Sequence, residues 1–128
     1  MLAAGVDTLK NIHHGWAWVV IIGNGLAGVW ALAANWVQQL RTRALWWFVG
    51  AVQAAVFIQV TMGAILVGHY KVPLPKFHAF YGFVAVISVA VIYSYRYQMK
   101  HRLYLLYGFG SLFVMGLGIR AMLIAASR

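Results

Sequence analysis

The histidines are the side chains of this sequence best suited to chemistry. The chain contains five histidines, ten lysines and arginines together, a single acidic residue, Asp7, and no cysteine. It therefore lacks a pair of carboxylates for general acid–base catalysis, and any thiol for covalent catalysis or a thiolate metal site. Neutral imidazole, in contrast, is a common ligand of haem iron, copper and zinc. Any chemistry of this chain is expected to use histidine.

Four of the histidines are predicted to lie at one face of the protein. His13 and His14 precede the first long apolar stretch, His69 follows the second and His78 begins the third. In an antiparallel helical bundle these positions share one face, whereas His101 lies at the other. Histidines on the first and third helices face each other across the diagonal of such a bundle. The sequence therefore predicts His14 and His78, with His69 as an alternative, as candidate haem or metal ligands.

In outline, four apolar spans with histidines at one face resemble the bundles of bis-histidine membrane cytochromes of the b type and of haem A synthase. The resemblance covers this outline and no specific motif, and it implies haem b held by His14 and His78. Two other interpretations stay open. Met62 lies seven residues before His69 and would suit copper, although a single methionine in a span is usually apolar filler. A histidine at a span end also reaches interfacial water and needs no ligand role.

The elements that must position these residues are apolar helices. The chain is 64% hydrophobic and 9% charged, whereas a soluble domain is about a quarter charged. Its long uncharged stretches match the roughly 20 residues that a membrane-spanning helix needs. They also lack the alternation of barrel strands, and lipid requires each segment to satisfy its own backbone hydrogen bonds. The sequence predicts four spans, near residues 14–36, 45–68, 77–97 and 103–126.

The connections between these spans are short, so consecutive helices are expected to be antiparallel neighbours. The second connection contains Pro73 and Pro75, which favour an extended loop. Residues 1–12 resemble a surface-lying segment more than a cleavable signal. The predicted fold is an all-α, integral membrane, up-down-up-down four-helix bundle that forms one domain over residues 1–128.

The basic residues predict the orientation of the bundle in the membrane. The first and third connections hold Arg41, Arg43, Arg96, Lys100 and Arg102, and the other side holds Lys10, Lys71, Lys76, Arg120 and Arg128. The numbers balance, but the arginine-rich connections lie closer to span ends, which favours them as cytoplasmic. We therefore expect a plasma-membrane protein with both termini outside. The positive charges are too scattered for a nucleic-acid-binding surface.

Three polar residues inside the predicted spans are candidates for interactions between helices or subunits. Asn24 and Gln59 fall at similar depths, where an amide usually bonds a neighbouring helix, although a polar substrate or a quinone pocket would use the same groups. Arg120 is costlier, since a charge at a helix centre is disfavoured by about 3 kcal/mol. It either extends to the membrane surface or is neutralised by a partner subunit or an anionic lipid.

The absence of acidic residues from the spans removes several function classes. Proton- and cation-coupled carriers need an intramembrane titratable group, usually a carboxylate.

The leading interpretation is a non-catalytic integral membrane subunit that packs in a larger respiratory or assembly complex. The alternative is a haem b- or copper-binding membrane protein that uses its outer-face histidines for electron transfer or cofactor handling. The expected partners are the lipid bilayer and either other membrane subunits or further copies of the chain.

Overall fold

The computed structural model describes residues 2–126, and the side chains of residues 4–126, as a bundle of four helices. The helices are α1 (Leu2–Trp36), α2 (Arg43–Gly68), α3 (His78–Ser94) and α4 (Leu103–Ala126). Short 3₁₀ turns, Gln38–Leu40 and Lys100–Arg102, lie in the first and third connections. The predicted all-α four-helix bundle is confirmed, while Arg128 lies outside the described residues.

Helix α1 is the central element of the bundle. It packs along most of α4 and against α2, whereas α3 packs mainly on α4 and contacts α2 little. Gly23 of α1 lies against Val52, and Gln59, further along α2, reaches back to His13, so α1 and α2 are antiparallel. Helix α4 is also antiparallel to α1 and to α3, because residues early in α4 contact residues late in those helices, and residues late in α4 contact early ones. Consecutive helices therefore run up, down, up and down.

Small residues allow α1 and α4 to approach each other closely. A Cβ added at Gly28 would lie 2.9 Å from the carbonyl oxygen of Gly108, and one at Gly108 would lie 3.1 Å from the backbone nitrogen of Leu32. The apolar side chains that α1 buries completely are also small: Ala27, Ala31 and Ala34. Close backbone contact of this kind is the usual way in which helices associate in lipid.

Three of the four helices are long and apolar enough to cross a membrane. The candidate spans are Ala4–Trp36, Arg43–Gly68 and Lys100–Ala126, while α3, with 17 residues, is shorter. Large apolar side chains such as Ile22, Leu26, Phe83 and Phe109 are exposed on the outer surface of the bundle. In lipid this exposure costs nothing, because the hydrocarbon tails are as apolar as the side chains. The chain is accordingly a multi-pass membrane protein.

The first helix is longer than the sequence indicated. Residues 2–12, expected as a separate surface segment, continue α1 without a break, since they contain no proline and only one glycine. Gly5 lies against the hydroxyl of Tyr70, so these first turns pack on the loop between α2 and α3. As a consequence, His13 and His14 lie about three helical turns inside α1 rather than at its start.

The other helices differ less from expectation, and their ends have local causes. Helix α2 begins after Thr42, whose hydroxyl accepts a hydrogen bond from the backbone N–H of Leu45 at 3.4 Å. Helix α3 ends at Ser94, three residues before the expected boundary. Just beyond it, the Arg96 guanidinium lies over the ring of Tyr93, 3.6 Å from its centroid, within a turn.

Arg41 joins the first connection to the bundle. Its Nε donates to the carbonyl oxygen of Ala34 at 2.6 Å and its Nη2 to that of Asn35 at 2.7 Å. These are carbonyls of the last turn of α1, which otherwise lack partners. The same guanidinium lies over the ring of Tyr104, 4.9 Å from its centroid. Arg41 therefore caps α1 and ties it to α4.

Candidate functional site

A large cavity lies between the four helices at the end of the bundle where α1 begins. Its volume is about 1210 Å³, and residues of all four helices and of the loop with Pro73 and Pro75 line it. Much of its wall is made of small residues, including Ala17, Gly63 and Gly82. Space remains there for two reasons: the lining side chains are small, and α2 and α3 contact each other little.

Two imidazole rings face each other in this cavity. His13 comes from α1, and His78 is the first residue of α3. Their ring centroids are 6.2 Å apart, and the ring planes are inclined at 74°. Both residues are partly buried. The antiparallel arrangement of the helices thus brings together two histidines that are separated by most of the first two helices in the sequence.

The orientation of His78 is fixed by a hydrogen bond to α4. Its Nδ1 lies 2.9 Å from the carbonyl oxygen of Ala121. A carbonyl oxygen only accepts, so Nδ1 carries a proton, and Nε2 is the ring nitrogen left for a ligand. A histidine that donates its second ring N–H to a backbone carbonyl is the common arrangement among metal-ligating histidines. His78 is therefore oriented as a metal-ligating histidine would be.

Helix α2 positions His13. The side-chain Nε2 of Gln59 donates to the backbone carbonyl of His13 at 2.8 Å. Gly63 leaves room for the imidazole, because a Cβ at this position would lie 3.2 Å from Cε1 of His13. Within residues 4–126, Nδ1 of His13 and Oε1 of Gln59 are buried and have no hydrogen-bond partner. Such unpaired buried groups cost about 1–3 kcal/mol each, and Asn24 Oδ1, Gln53 Nε2 and Ser111 Oγ, away from the cavity, are unpaired as well.

The structure places the other predicted ligands differently. His14 also lines the cavity, but it is exposed, and its ring has no contact with His78. His69 ends α2 at the surface, where its ring packs edge-on against Tyr70 with centroids 4.8 Å apart. His101 lies in the third connection, at the opposite end of the bundle. The histidine that faces His78 is thus His13, the neighbour of the expected one.

The rotation of α1 about its axis distinguishes His13 from His14. Adjacent residues of a helix point about 100° apart, so only one of two consecutive histidines can face a given neighbour. The residues Val20, Asn24, Ala27, Ala31 and Ala34 are all buried and follow one another in steps of three and four. Seven residues before Val20, the same stripe reaches His13.

The ligand set around the two histidines is small. No group of three or more His, Cys, Asp or Glu side chains suited to a metal ion occurs in the part of the chain that the structure describes. Met62, considered for copper, is buried in α2 and is not among the residues that line the cavity. A bare copper or zinc ion would therefore find two imidazoles, fewer than its usual set of three or four protein ligands.

The two other predicted interaction residues have different environments. Asn24 is completely buried, and its Nδ2 donates to the carbonyls of Val20 at 2.9 Å and of Val52 at 3.4 Å. It therefore links α1 to α2, as Gln59 does at the cavity. Arg120 is exposed on α4, and among residues 4–126 it has no hydrogen-bond, ion-pair or ring partner.

Comparison of the chain with protein-family models, with curated proteins and with solved structures gives no match.

Proposed function

We propose that this protein binds haem b between His13 and His78 and transfers electrons within the membrane. The distance between the two rings carries the proposal. An iron held between two imidazoles by bonds of about 2 Å would separate their ring centroids by about 6 Å. The observed separation of 6.2 Å supports this coordination. The cavity, at about 1210 Å³, also exceeds the about 300–1,000 Å³ usual for pockets that hold compact organic ligands.

Haem is favoured over a bare ion because two protein ligands are enough for it. Haem iron receives four ligands from its own macrocycle, so that only two axial positions are left for the protein. Haem would supply one-electron redox chemistry, whose potential depends on the axial ligands and the polarity around them. The apolar wall of the cavity and the hydrogen bond from His78 to Ala121 are the means by which this chain would set that potential.

The glycines and alanines of the cavity wall would make room for a planar group. Gly63 and Gly82 lie on α2 and α3, the two helices that separate around the cavity. A larger side chain at Gly63 would project toward the imidazole of His13, and one at Gly82 would project toward Val60. The unpaired Oε1 of Gln59 would accept a hydrogen bond from Nδ1–H of a ligating His13 or from a water at the ligand edge.

We further propose that α3 is the fourth span and that the histidine end of the bundle lies outside. The 17 residues of α3 rise about 25 Å, slightly less than the roughly 30 Å of hydrocarbon, and the flanking loop with Pro73 and Pro75 adds length. The arginine-rich connections would then face the cytoplasm, with both termini on the outer side of the plasma membrane. The haem would lie in the outer half of the membrane.

An electron carrier with one redox site needs partners that deliver and remove the electron. We therefore propose that the protein is a non-catalytic subunit of a larger membrane complex, of a respiratory or assembly kind, or a homo-oligomer. The exposed Arg120 supports a partner, because the residues around it on α4 carry no acidic side chain that would neutralise it. Isolation in mild detergent should recover a defined larger complex, and Arg120→Leu should weaken it. A monomer whose behaviour is unchanged by this substitution would contradict the subunit proposal.

The haem proposal is tested by optical spectroscopy of single-histidine variants. The protein, expressed with haem supply and purified in detergent, should show Soret and α bands in the reduced-minus-oxidised spectrum. His13→Ala and His78→Ala should each abolish or strongly alter these bands, because each removes one axial ligand. The matched controls His14→Ala and His69→Ala should leave them unchanged.

Two results of this experiment would reject the proposal. One is the absence of haem bands together with a normal helical circular dichroism spectrum. The other is loss of the bands in His14→Ala but not in His13→Ala, which would identify His14, the residue predicted from the sequence, as the ligand. Elemental analysis for copper in the same samples distinguishes haem from a copper site.

A further inference from the structure

A second, smaller cavity is a groove on the outer surface between α3 and α4, away from the histidines. Its volume is about 520 Å³, and apolar side chains such as Ile87, Val91, Phe109 and Phe113 line it. Ser88 also lines it, but its hydroxyl donates to the carbonyl of Val84 in the same helix at 2.7 Å. The lining of the groove is therefore apolar along its length. Its one charged lining residue is Arg102, beside the third connection.

Arg102 is one of the cations at this end of the bundle, with Arg43 and Lys100, whose side chains no described group of the chain neutralises. Arg96 donates to the carbonyl of Tyr93 and lies over its ring, and Arg41 caps α1. Arg102 is exposed, and its guanidinium makes no hydrogen bond, ion pair or ring contact among residues 4–126. The single acidic residue, Asp7, lies in the first turns of α1, at the histidine end. An anion that neutralises Arg102 must therefore come from outside this chain.

We infer that the groove holds an acyl chain of an anionic phospholipid, with the lipid phosphate on Arg102. The groove extends along α4 from Arg102 to Phe113, about 16 Å at the rise of an α-helix. This length matches one leaflet, which is half of a hydrocarbon core of about 30 Å. Basic residues at the membrane surface attract anionic lipids, and a guanidinium binds phosphate oxygens in a bidentate manner.

The size of the groove favours a lipid chain over a helix of a partner protein. A helix of about 10 Å diameter lying along the same 16 Å would occupy about 1,250 Å³. That is more than twice the about 520 Å³ of the groove. The exposed side chains at its edge, Val91 and Phe109, would contact lipid tails in any case. This site is independent of the histidine cavity and of any haem in it.

The inference is tested by lipid retention. The protein is purified from mixed micelles that contain equal amounts of phosphatidylglycerol and phosphatidylcholine with the same acyl chains, and the bound lipids are counted by native mass spectrometry. We expect phosphatidylglycerol to be retained preferentially. Arg102→Ala should lower the ratio of the two lipids about fivefold, because the contact between the guanidinium and the headgroup at the groove is lost. Arg102→Lys should keep most of the preference, since it retains the charge.

Matched variants separate this site from general attraction to positive charge. Arg43 is exposed at the same end of the bundle but does not line the groove, so Arg43→Ala should leave the lipid ratio unchanged. Val91→Trp should fill the groove and reduce retention of both lipids, whereas Val29→Trp, on the exposed face of α1, should not. Equal effects of Arg102→Ala and Arg43→Ala, or full lipid retention by Val91→Trp, would overturn the inference.

Discussion

The substitution Gly28→Ala should destabilise the bundle, because it places a methyl group where α1 and α4 are closest. The new Cβ would lie 2.7 Å from Cγ of Leu112 and 2.9 Å from the carbonyl oxygen of Gly108. The side chain of Leu112 can rotate, but the carbonyl belongs to the backbone of α4 and moves only with the helix. Relief of the clash therefore requires α1 and α4 to separate.

A control of the same chemistry isolates this steric effect. Gly50 lies on the exposed face of α2, and a Cβ there would have no neighbour within 4 Å. Replacing a helical glycine by alanine favours the helix by about 1 kcal/mol at either position. Inserting a methylene-sized group into a packed interface costs about 1–3 kcal/mol. The propensity gain cancels in the comparison, so Gly28→Ala should be less stable than Gly50→Ala by about 1–3 kcal/mol.

The difference is measured by equilibrium unfolding of both variants in mixed micelles with increasing sodium dodecyl sulfate, followed by circular dichroism. The wild-type protein in the same micelles gives the reference. Gly50→Ala should unfold at the same or a slightly higher detergent fraction than wild type, and Gly28→Ala at a lower one. Equal stability of the two variants would refute the close α1–α4 contact on which the arrangement of the bundle rests.

Three further substitutions test individual contacts. Arg41→Ala should lower stability by about 1–3 kcal/mol in the same unfolding assay, because two charge-assisted hydrogen bonds to the end of α1 are lost, whereas Arg43→Ala should have little effect. Asn24→Leu should lower it by about 0.5–1.5 kcal/mol, since the link to α2 disappears. Gly63→Leu should weaken haem binding at least tenfold in a spectroscopic titration, because the side chain would displace the imidazole of His13.

Each of these predictions has its own contradicting result. Equal stability losses in Arg41→Ala and Arg43→Ala would mean that the helix cap is not formed. A neutral or stabilising effect of Asn24→Leu would show that burying the amide costs at least as much free energy as its hydrogen bonds contribute. If Gly63→Leu binds haem as tightly as wild type while remaining folded, the ligand does not lie between α2 and the ring of His13.

The parts of the fold predicted correctly are those that local sequence determines. Charged residues bracket the apolar stretches, so the bounds of α2 and α4 could be predicted almost to the residue. The start of α1 could not, because hydropathy falls before His14 while the helix is continued by packing against Tyr70. The role of Arg41 was also missed, since a cation in a short connection predicts orientation but not which carbonyls it binds.

The sequence predicted which helices carry the histidines of the candidate site. Composition directed attention to histidine, and the order of the spans placed one candidate histidine on the first helix and another, His78, on the third. The choice between His13 and His14 depends on the rotation of α1 about its axis, which is set by its contacts with α4 and α2. The hydrogen bonds of Ala121 and Gln59 at the site join residues more than forty positions apart, so only the assembled bundle reveals them.

The most direct test of the central claim, that His13 and His78 hold one haem between them, is the electron paramagnetic resonance spectrum of the ferric protein. The account predicts a low-spin signal for the wild-type protein, because two imidazoles occupy both axial positions. His13→Ala and His78→Ala should each convert any bound haem to a high-spin form or lose it. A high-spin signal in the wild type, or a low-spin signal that survives both substitutions, would contradict the claim.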